Sequence, residues 1–496
     1  MTSQQKKWLL AVCLLTAAGI GGTCLYLNTT KAPMTNLEEL NAPGNSIYYT
    51  MPEEEHIAAD RDLDVEYIDN ELLVTVEDEI TEEQLTEFLE ERDGKIVGHI
   101  EDLSLYQVRF KDTYTYQELE QMGRNLESSD MIQKCRENLV STITEDYIPG
   151  DSRWKSSWGK ETGETWALEA IHMDGAWDQM EAMDSSVSVG IFDTGFYELH
   201  EDLEFASPPL ANQTEDPEGS LDSHGTCVAG IIGAGLDNDT GISGILPENV
   251  RKLYGVSAWG LSLEDGKMDV MAFQTGLAYL ISVKQCRVVN LSISPYDRQE
   301  ELDSILFQEY QEILEECLAG FLDAGHDFLI VRSAGNDSGR DAAEDPLCAI
   351  SQERVKSRIL VVEAACRQED GSLSLASASS TGERTDLSAP GGSQEFPVTS
   401  TSVRKAFPGL SKSGYSDVSG TSMAAAYVSG TAALIYSINP YLDGEQVCQI
   451  LRDTAGDIPM GAQAPFLDAQ AAVEQAVSTR GGGQRTVAWP ADWTEE

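Results

Sequence analysis

Four residues arrive along this chain in an order that suits one chemistry: Asp193, His224, Asn336 and Ser422. A serine hydroxyl is a weak nucleophile at its own pKa, and it attacks an amide only when a neighbouring base takes its proton. An imidazole is a suitable base, and a carboxylate behind it fixes the tautomer and favours the imidazolium that forms. Asp before His before Ser is one of three unrelated chain orders in which such triads occur. The negative oxygen of a tetrahedral intermediate needs donors, for which the Asn336 amide and the Ser422 backbone N–H are the candidates. Taken singly, each residue has an ordinary explanation: Asp193 as a strand-end turn residue, His224 and Ser422 as helix caps, Asn336 as a turn asparagine. Their joint occurrence is what points to hydrolysis.

The elements that must position these groups are legible from periodicity. Ser419 to Ala426 is a small, glycine-containing turn entering an apolar run (Tyr427, Val428, Ala432, Ala433, Leu434, Ile435), which predicts a buried helix with Ser422 at its positive end. Val187 to Phe192 reads as a buried strand ending on Asp193, and catalytic groups in open α/β sheets gather at the carboxyl ends of strands. His224 heads a helix of small residues reaching Gly230. Val288 to Ser294 and Phe328 to Val331 read as further strands, the second running into Ser333, Ala334, Gly335, Asn336 and Asp337. Residues 300–323 read as an acidic amphipathic helix. This alternation of strands and helices from about Tyr147 onward is the pattern of an α/β fold with a mostly parallel sheet.

The segments Ile191 to Gly195, His224 to Gly230, Ser333 to Asp337 and Gly420 to Ala425 resemble those of the subtilisin-like serine proteases, across roughly residues 150–477. The resemblance implies a subtilisin-like α/β domain with a mostly parallel central sheet flanked by helices. It implies endopeptidase activity with Asp193, His224 and Ser422 as the triad and Asn336 in the oxyanion hole. Substrate would be an extended peptide pairing with strand edges near Ser292, Ile293 and Ser294 and near Leu261 to Gly266. Three positions depart from the family pattern. Ser294 stands where glycine is common and narrows the primary pocket, Asp337 resembles an acidic residue that some members carry at the pocket rim, and Arg332 replaces a small residue. Similarity also implies a structural calcium site, from Asp202 and from Leu236, Asn238, Thr240 and Ile242, an oxygen-rich set of the kind calcium prefers. An acidic surface turn is the alternative there. Cys227, one turn along from His224, is either a thiol-sensitive position or a buried structural cysteine.

Upstream, Glu71 to Val76, Lys95 to Ile100, Leu105 to Phe110 and Val140 to Ile143 read as strands. Thr81 to Gln84 and Thr115 to Glu118 are capping boxes opening two helices, which gives the order β-α-β-β-α-β. By resemblance this α+β module is an inhibitory prosegment whose last stretch occupies the substrate cleft and is cut around Thr144 to Gly150. The expected divisions are a signal or membrane anchor (1–30), a linker (31–65), the module (66–147), the catalytic domain (148–478) and a tail (479–496). Lys6 and Lys7 before an apolar run from Trp8 to Leu27 suit an export signal retained as an anchor, which implies a cell-surface or secreted protein. With 33 basic against 84 acidic residues the net charge is −51, so nucleic acid is a poor partner. The expected partners are a peptide or protein substrate, the chain's own prosegment and a membrane. Nine cysteines in no zinc-like spacing leave the redox compartment open.

Two other functional classes remain. An aspartic protease also carries a hydrophobic-hydrophobic-Asp-Thr-Gly signature, but it requires a second carboxyl sharing a proton, and no second such signature with hydrophobic residues before its aspartate follows Asp193. A catalytically silent module that binds peptides would keep the fold without the geometry.

Overall fold

The computed structural model describes residues 46–480, apart from 61–62, 64, 78–79, 143, 146–147, 150–164, 217–218, 237, 239, 264–265, 295–303 and 408–409. The expected anchor, the start of the expected linker and the tail beyond 480 lie outside the described residues. Among the described residues no helix is long and apolar enough to cross a membrane.

The first half runs β1 (Ile47–Tyr48), β2 (Ile57–Asp60), β3 (Val65–Val76), α1 (Glu82–Glu90), β4 (Gly94–Ile100), β5 (Leu105–Phe110), α2 (Tyr116–Leu126), β6 (Ile132–Thr142), β7 (Thr144–Glu145) and β8 (Ile148–Pro149). Both helices begin where the capping boxes place them. The Thr81 and Thr115 side chains accept from the backbone of Gln84 and Glu118, whose side chains return to the cap N–H groups at 2.9 and 2.8 Å. Each such cap contributes about 1 kcal/mol and fixes where the helix starts. One face of α1 buries Leu85 and Leu89, and one face of α2 buries Leu119 and Leu126. The strands form an antiparallel sheet in the order β1-β4-β5-β3-β6, with β2 also on β3. β1 and β2 fall within the stretch expected to be a linker. Such short strands carry too few apolar residues for a periodic signal, and they become ordered only because β4 and β3 offer them open edges.

The second half runs β9 (Val187–Asp193), α3 (His224–Gly233), β10 (Arg251–Ser257), β11 (Lys267–Asp269), α4 (Val270–Ala278), β12 (Val288–Leu291), β13 (Ile293–Ser294), α5 (Ser304–Asp323), β14 (Leu329–Ser333), β15 (Ile359–Arg367), β16 (Leu373–Leu375), β17 (Leu387–Pro390), β18 (Val398–Phe407), β19 (Leu410–Ser419) and α6 (Thr421–Ile438). Strands β10, β9, β12, β14 and β15 pair in parallel in that order, β17 joins β15 in parallel, and β16 is antiparallel to β15. Every residue of α6 is buried, so its sequence is apolar or small all round rather than amphipathic. It packs on α3 and on β9, β12, β14 and β15, and its first turn meets the segments that follow β12 and β14, Ser422 touching Ser292 and Thr421 touching Asn336. The turn into α6 passes through Gly420 at φ +138°, a conformation that a residue with a Cβ rarely adopts.

The two halves share a sheet. β11 adds to the N-terminal sheet beside β6, pairing Lys267 with Thr142 and Asp269 with Val140. The edge expected at Leu261 to Gly266 is therefore displaced to Lys267–Asp269. Leu261 ends a short helical turn, and Gly266 sits at φ +81° in a turn closed from the Leu263 N–H to the Lys267 carbonyl, so extended backbone starts only after it.

Candidate active site

Asp193 ends β9, is fully buried, and accepts on Oδ1 from the Thr194 N–H at 2.8 Å. The same oxygen takes the His224 Nδ1 proton at 2.5 Å, so the carboxylate holds the imidazole with Nε2 as its basic nitrogen. His224 is the first residue of α3, and its own N–H donates to Asp222 Oδ1 at 2.7 Å. Asp222 is gripped in turn by the Trp259 indole N–H on Oδ2 at 2.6 Å. Sequence reasoning passed over Asp222, although a carboxylate two residues before a helix head is a recognisable cap signal. The approach of α3 to β9 needs Gly225, because a Cβ there would come within 2.4 Å of the Gly195 carbonyl oxygen.

Ser422 lies in the first turn of α6 and is also fully buried. Its Oγ lies 3.5 Å from the Ser292 carbonyl, and Ser292 Oγ lies 3.4 Å from the Ser422 carbonyl. Ser292 Oγ also accepts from the Asn290 amide at 2.9 Å, whose oxygen accepts from Ser429 at 2.8 Å. This chain of contacts ties α6 to β12 and sets the serine beside the β13 edge. Asn336 is held by its oxygen, which accepts from the Thr421 N–H at 3.0 Å and from Thr421 Oγ1 at 3.3 Å. That orientation commits Nδ2 to the donor role an oxyanion requires. Thr421 was not singled out from sequence, and only the fold reveals it as the residue that turns Asn336. Asp337 is half-buried, and its backbone exchanges hydrogen bonds with Ser380 Oγ at 3.3 Å.

The β13 edge is paired. Ile293 and Ser294 lie antiparallel to Glu145 and Thr144, and Val418 and Ser419 lie antiparallel to Pro149 and Ile148. Backbone on both sides of residues 146–147 thus runs along the two strands that flank Ser422.

A profile of the Subtilase family matches residues 184–483, a span that includes all four residues described above. The chain belongs to the subtilase family. Subtilases are serine endopeptidases, and the partner of Asp193 is accordingly an imidazole rather than the second carboxyl an aspartic protease needs. Subtilisin DY of Bacillus licheniformis is 29% identical over 274 residues, covering 55% of this chain and 85% of its own length. The halolysin-like extracellular serine protease Nep of Natrialba magadii is 25% identical over 404 residues, covering 78% of this chain and 64% of its own. In overall fold the chain resembles the crystal structure of fervidolysin from Fervidobacterium pennivorans, described as a keratinolytic enzyme related to subtilisin. The TM-score is 0.59 at 19% identity, covering 89% of this chain and 65% of that one. This chain therefore spans just under two thirds of the length of Nep and of fervidolysin.

Subtilases commonly bind structural calcium. Asp202, buried, and the loop from Leu236 to Ile242 do meet: the carboxylate accepts from the Gly235 N–H at 3.2 Å, Asn238 Nδ2 at 2.9 Å and the Ile242 N–H at 2.8 Å. Burial pushes the Asp202 pKa up despite these donors, the mark of an anion short of positive charge. Asn238 turns its nitrogen to Asp202 and its oxygen to the Thr240 N–H at 2.8 Å, so the residues gather while the amide still has to rotate to ligate a cation. Cys227 is fully buried and its thiol is pushed well above its ordinary value by that burial, which leaves it the structural reading. Arg332 finds the partner that the sequence did not disclose, Asp345, at 2.6 Å.

Proposed function

We propose that this chain is an exported subtilisin-like endopeptidase made as a self-inhibited zymogen, with Asp193, His224 and Ser422 as its triad and Asn336 in its oxyanion hole. The observation that carries the reading is the buried 2.5 Å contact of His224 with Asp193, His224 heading a helix that packs against α6, which bears Ser422 in its first turn. An extended peptide lies along β13, and Ser422 Oγ attacks its carbonyl as His224 Nε2 takes the proton. Asp193 stabilises the imidazolium, and the same proton then passes to the leaving amine. The oxyanion receives the Asn336 Nδ2 and Ser422 N–H donors, reinforced by the α6 dipole. A fluorophosphonate probe tests the reading: it should label the processed wild-type chain and fail on Ser422→Ala, and a folded wild type that takes no label would leave a silent peptide-binding module. Replacing Asn336 with alanine should lower kcat about 10²–10³-fold with KM little changed, because the lost donor acts on the transition state. Steady-state kinetics on a peptide substrate reads this.

The module at 66–147 acts as the prosegment, and the catalytic domain spans 148–478. The pairing of Thr144–Glu145 with Ile293–Ser294 and of Ile148–Pro149 with Val418–Ser419 supports this, since it brackets the peptide bonds between Glu145 and Ile148 against Ser422. N-terminal sequencing of the mature form should begin at Asp146, Tyr147 or Ile148, and a start elsewhere refutes the register. Residues 1–30 act as the export signal and anchor, and cleavage at the junction releases the catalytic domain. The Asp202 loop holds calcium through the Asp202 carboxylate, the Asn238 amide oxygen and the carbonyls of Leu236, Thr240 and Ile242. Chelation should then lower the Tm, calcium should restore it, and Asp202→Asn should abolish the calcium response in thermal melts.

A further inference from the structure

Residues 46–60 stand ahead of the module at 66–147, in the stretch expected to be a linker, yet several of them sink into the seam between the two halves. Ile47 and Tyr49 are fully buried. β1 lies antiparallel to β4, pairing Ile47 with Ile100 and Tyr48 with His99, and β2 lies antiparallel to β3, pairing Ile57 with Ile68. Side chains of β5 hold the backbone between β1 and β2. Gln107 donates to the Thr50 carbonyl at 2.9 Å and accepts from the Thr50 N–H at 3.3 Å, while Arg109 Nη2 donates to the Met51 carbonyl at 3.2 Å. Those contacts bind the segment to the prosegment. Others reach the catalytic domain. The Tyr49 hydroxyl donates to Asp269 Oδ2 at 2.5 Å, and Asp269 caps α4 by accepting on Oδ1 from the Ala272 N–H at 2.9 Å. Met51 and Ile57 pack against a small buried cluster in which Ile68 and Val140 of the module meet Leu263 of the catalytic domain.

Position in the chain gives these contacts their consequence. A cut between Glu145 and Ile148 leaves residues 46–60 on the same fragment as the module. From that moment the fragment is held on the catalytic domain by noncovalent contacts alone and no longer as part of one chain. A hydrogen bond to a buried carboxylate and apolar contacts closed to water both resist separation. We propose that residues 46–60 are a second inhibitory segment, a strap that keeps the cut prosegment in place through Tyr49 on Asp269 and through Met51 and Ile57 on the cluster that holds Leu263. The surface that the catalytic domain offers its inhibitor thereby extends past the edge of β11 to the cap of α4 and to Leu263. This rests on the zymogen reading above and adds to it which contacts set the lifetime of the inhibited state.

Tyr49, Met51 and Ile57 all leave with the cut fragment, so variants at these positions yield the same mature catalytic domain, and any change they cause reports on docking. The full-length chain is left to cut itself. Intact mass follows the cut, size-exclusion chromatography follows co-elution of the fragment with the catalytic domain, and peptide hydrolysis per fluorophosphonate-labelled Ser422 follows the freed site. The wild-type fragment should co-elute after the cut, with activity appearing only as it departs. Tyr49→Phe keeps the ring and removes the hydroxyl, and should shorten the interval between cut and activity about 10-fold or more. Met51→Ala with Ile57→Ala should shorten it as well, by the independent apolar contact. Once the fragment has gone, kcat and KM should equal those of wild type in every variant. Departure from Tyr49→Phe no faster than from wild type overturns the strap, and if Tyr49→Phe fails to fold, Met51→Ala with Ile57→Ala decides by the same measure. A wild type that is active at the moment of the cut, with no co-eluting fragment, sinks the zymogen reading and the strap with it, and one that takes no label sinks the catalytic reading itself.

Discussion

Replacing Ser422 with alanine is expected to cut peptide hydrolysis by about 10⁶-fold, the scale of the same deletion in subtilisin itself, and to leave the chain at full length. The fold should survive, because the contact of Ser422 Oγ with the Ser292 carbonyl is a long 3.5 Å one and alanine suits a buried helix. The loss is large because the hydroxyl, the imidazole and the carboxylate act as one unit. Without the nucleophile, the 2.5 Å Asp193–His224 contact has no proton to accept. Intact mass and steady-state hydrolysis give two independent readouts. A Ser422→Ala chain that is still cut between Glu145 and Ile148, in a preparation free of other proteases, would remove self-processing from the account.

Release of the prosegment after processing is expected to be slow in mild acid and much faster near neutral pH. Two buried carboxyls at the junction of the halves support this. Asp269 of β11 is pushed up to about 7, first by burial and then by the nearby Glu71 carboxylate, which is held by Arg109, Gln107 and Asn138. Asp269 itself is faced by the Tyr49 hydroxyl at 2.5 Å and by the α4 N–H of Ala272 at 2.9 Å. Glu137 of β6 is pushed up to about 7, again by burial first and then by Glu309 of α5 and Glu120, with Arg136 opposing. Leaving the complex returns each group to water and to its ordinary range. The docked state thus holds more protons than the separated one: stability from these groups is complete below about pH 4 and is lost as pH rises through about 7. One pKa unit corresponds to ~1.4 kcal/mol, so two carboxyls raised this far weaken docking by roughly several kcal/mol once the pH has risen past about 7.

Other pairs across the same junction work on the acid side. Burial raises Glu316, but Arg136 and Lys134 outweigh it and the net pKa lies below the usual carboxylate value. The hydrogen bond from His326 likewise lowers Asp102. These contributions are present above the ordinary carboxylate range and lost in stronger acid, which sets the tightest docking near pH 4–5. The onset of activity in processed protein, followed from pH 4.5 to 7.5, checks the prediction, and Asp269→Asn with Glu137→Gln should flatten the profile. A rate of onset constant over that window would show that these carboxyls do not govern release.

Much of the site was legible before any coordinates, and the reason is locality. The Thr81 and Thr115 boxes, the strand ending on Asp193 and the apolar run after Ser422 all depend on residues within a turn or two of one another. What escaped were partners distant in sequence. Asp345 beneath Arg332, Thr421 turning Asn336, and Trp259 gripping Asp222 carry no pattern in their own neighbourhoods. The strand expected at Leu261 to Gly266 begins only at Lys267, because the turn at Gly266, rather than strand propensity, decides where β11 starts. β1 and β2 were read as linker because two to four residues hold too little periodicity to register.

By itself, then, the sequence determined which chemical groups the chain owns and on which kind of element each one sits, since side-chain period and capping are set by near neighbours. Tertiary structure alone decided which groups meet and in what protonation state. Burying Asp269 beside Glu71, or Arg332 against Asp345, requires packing two segments that are far apart in the chain. It is the loss of water at such contacts that moves a proton.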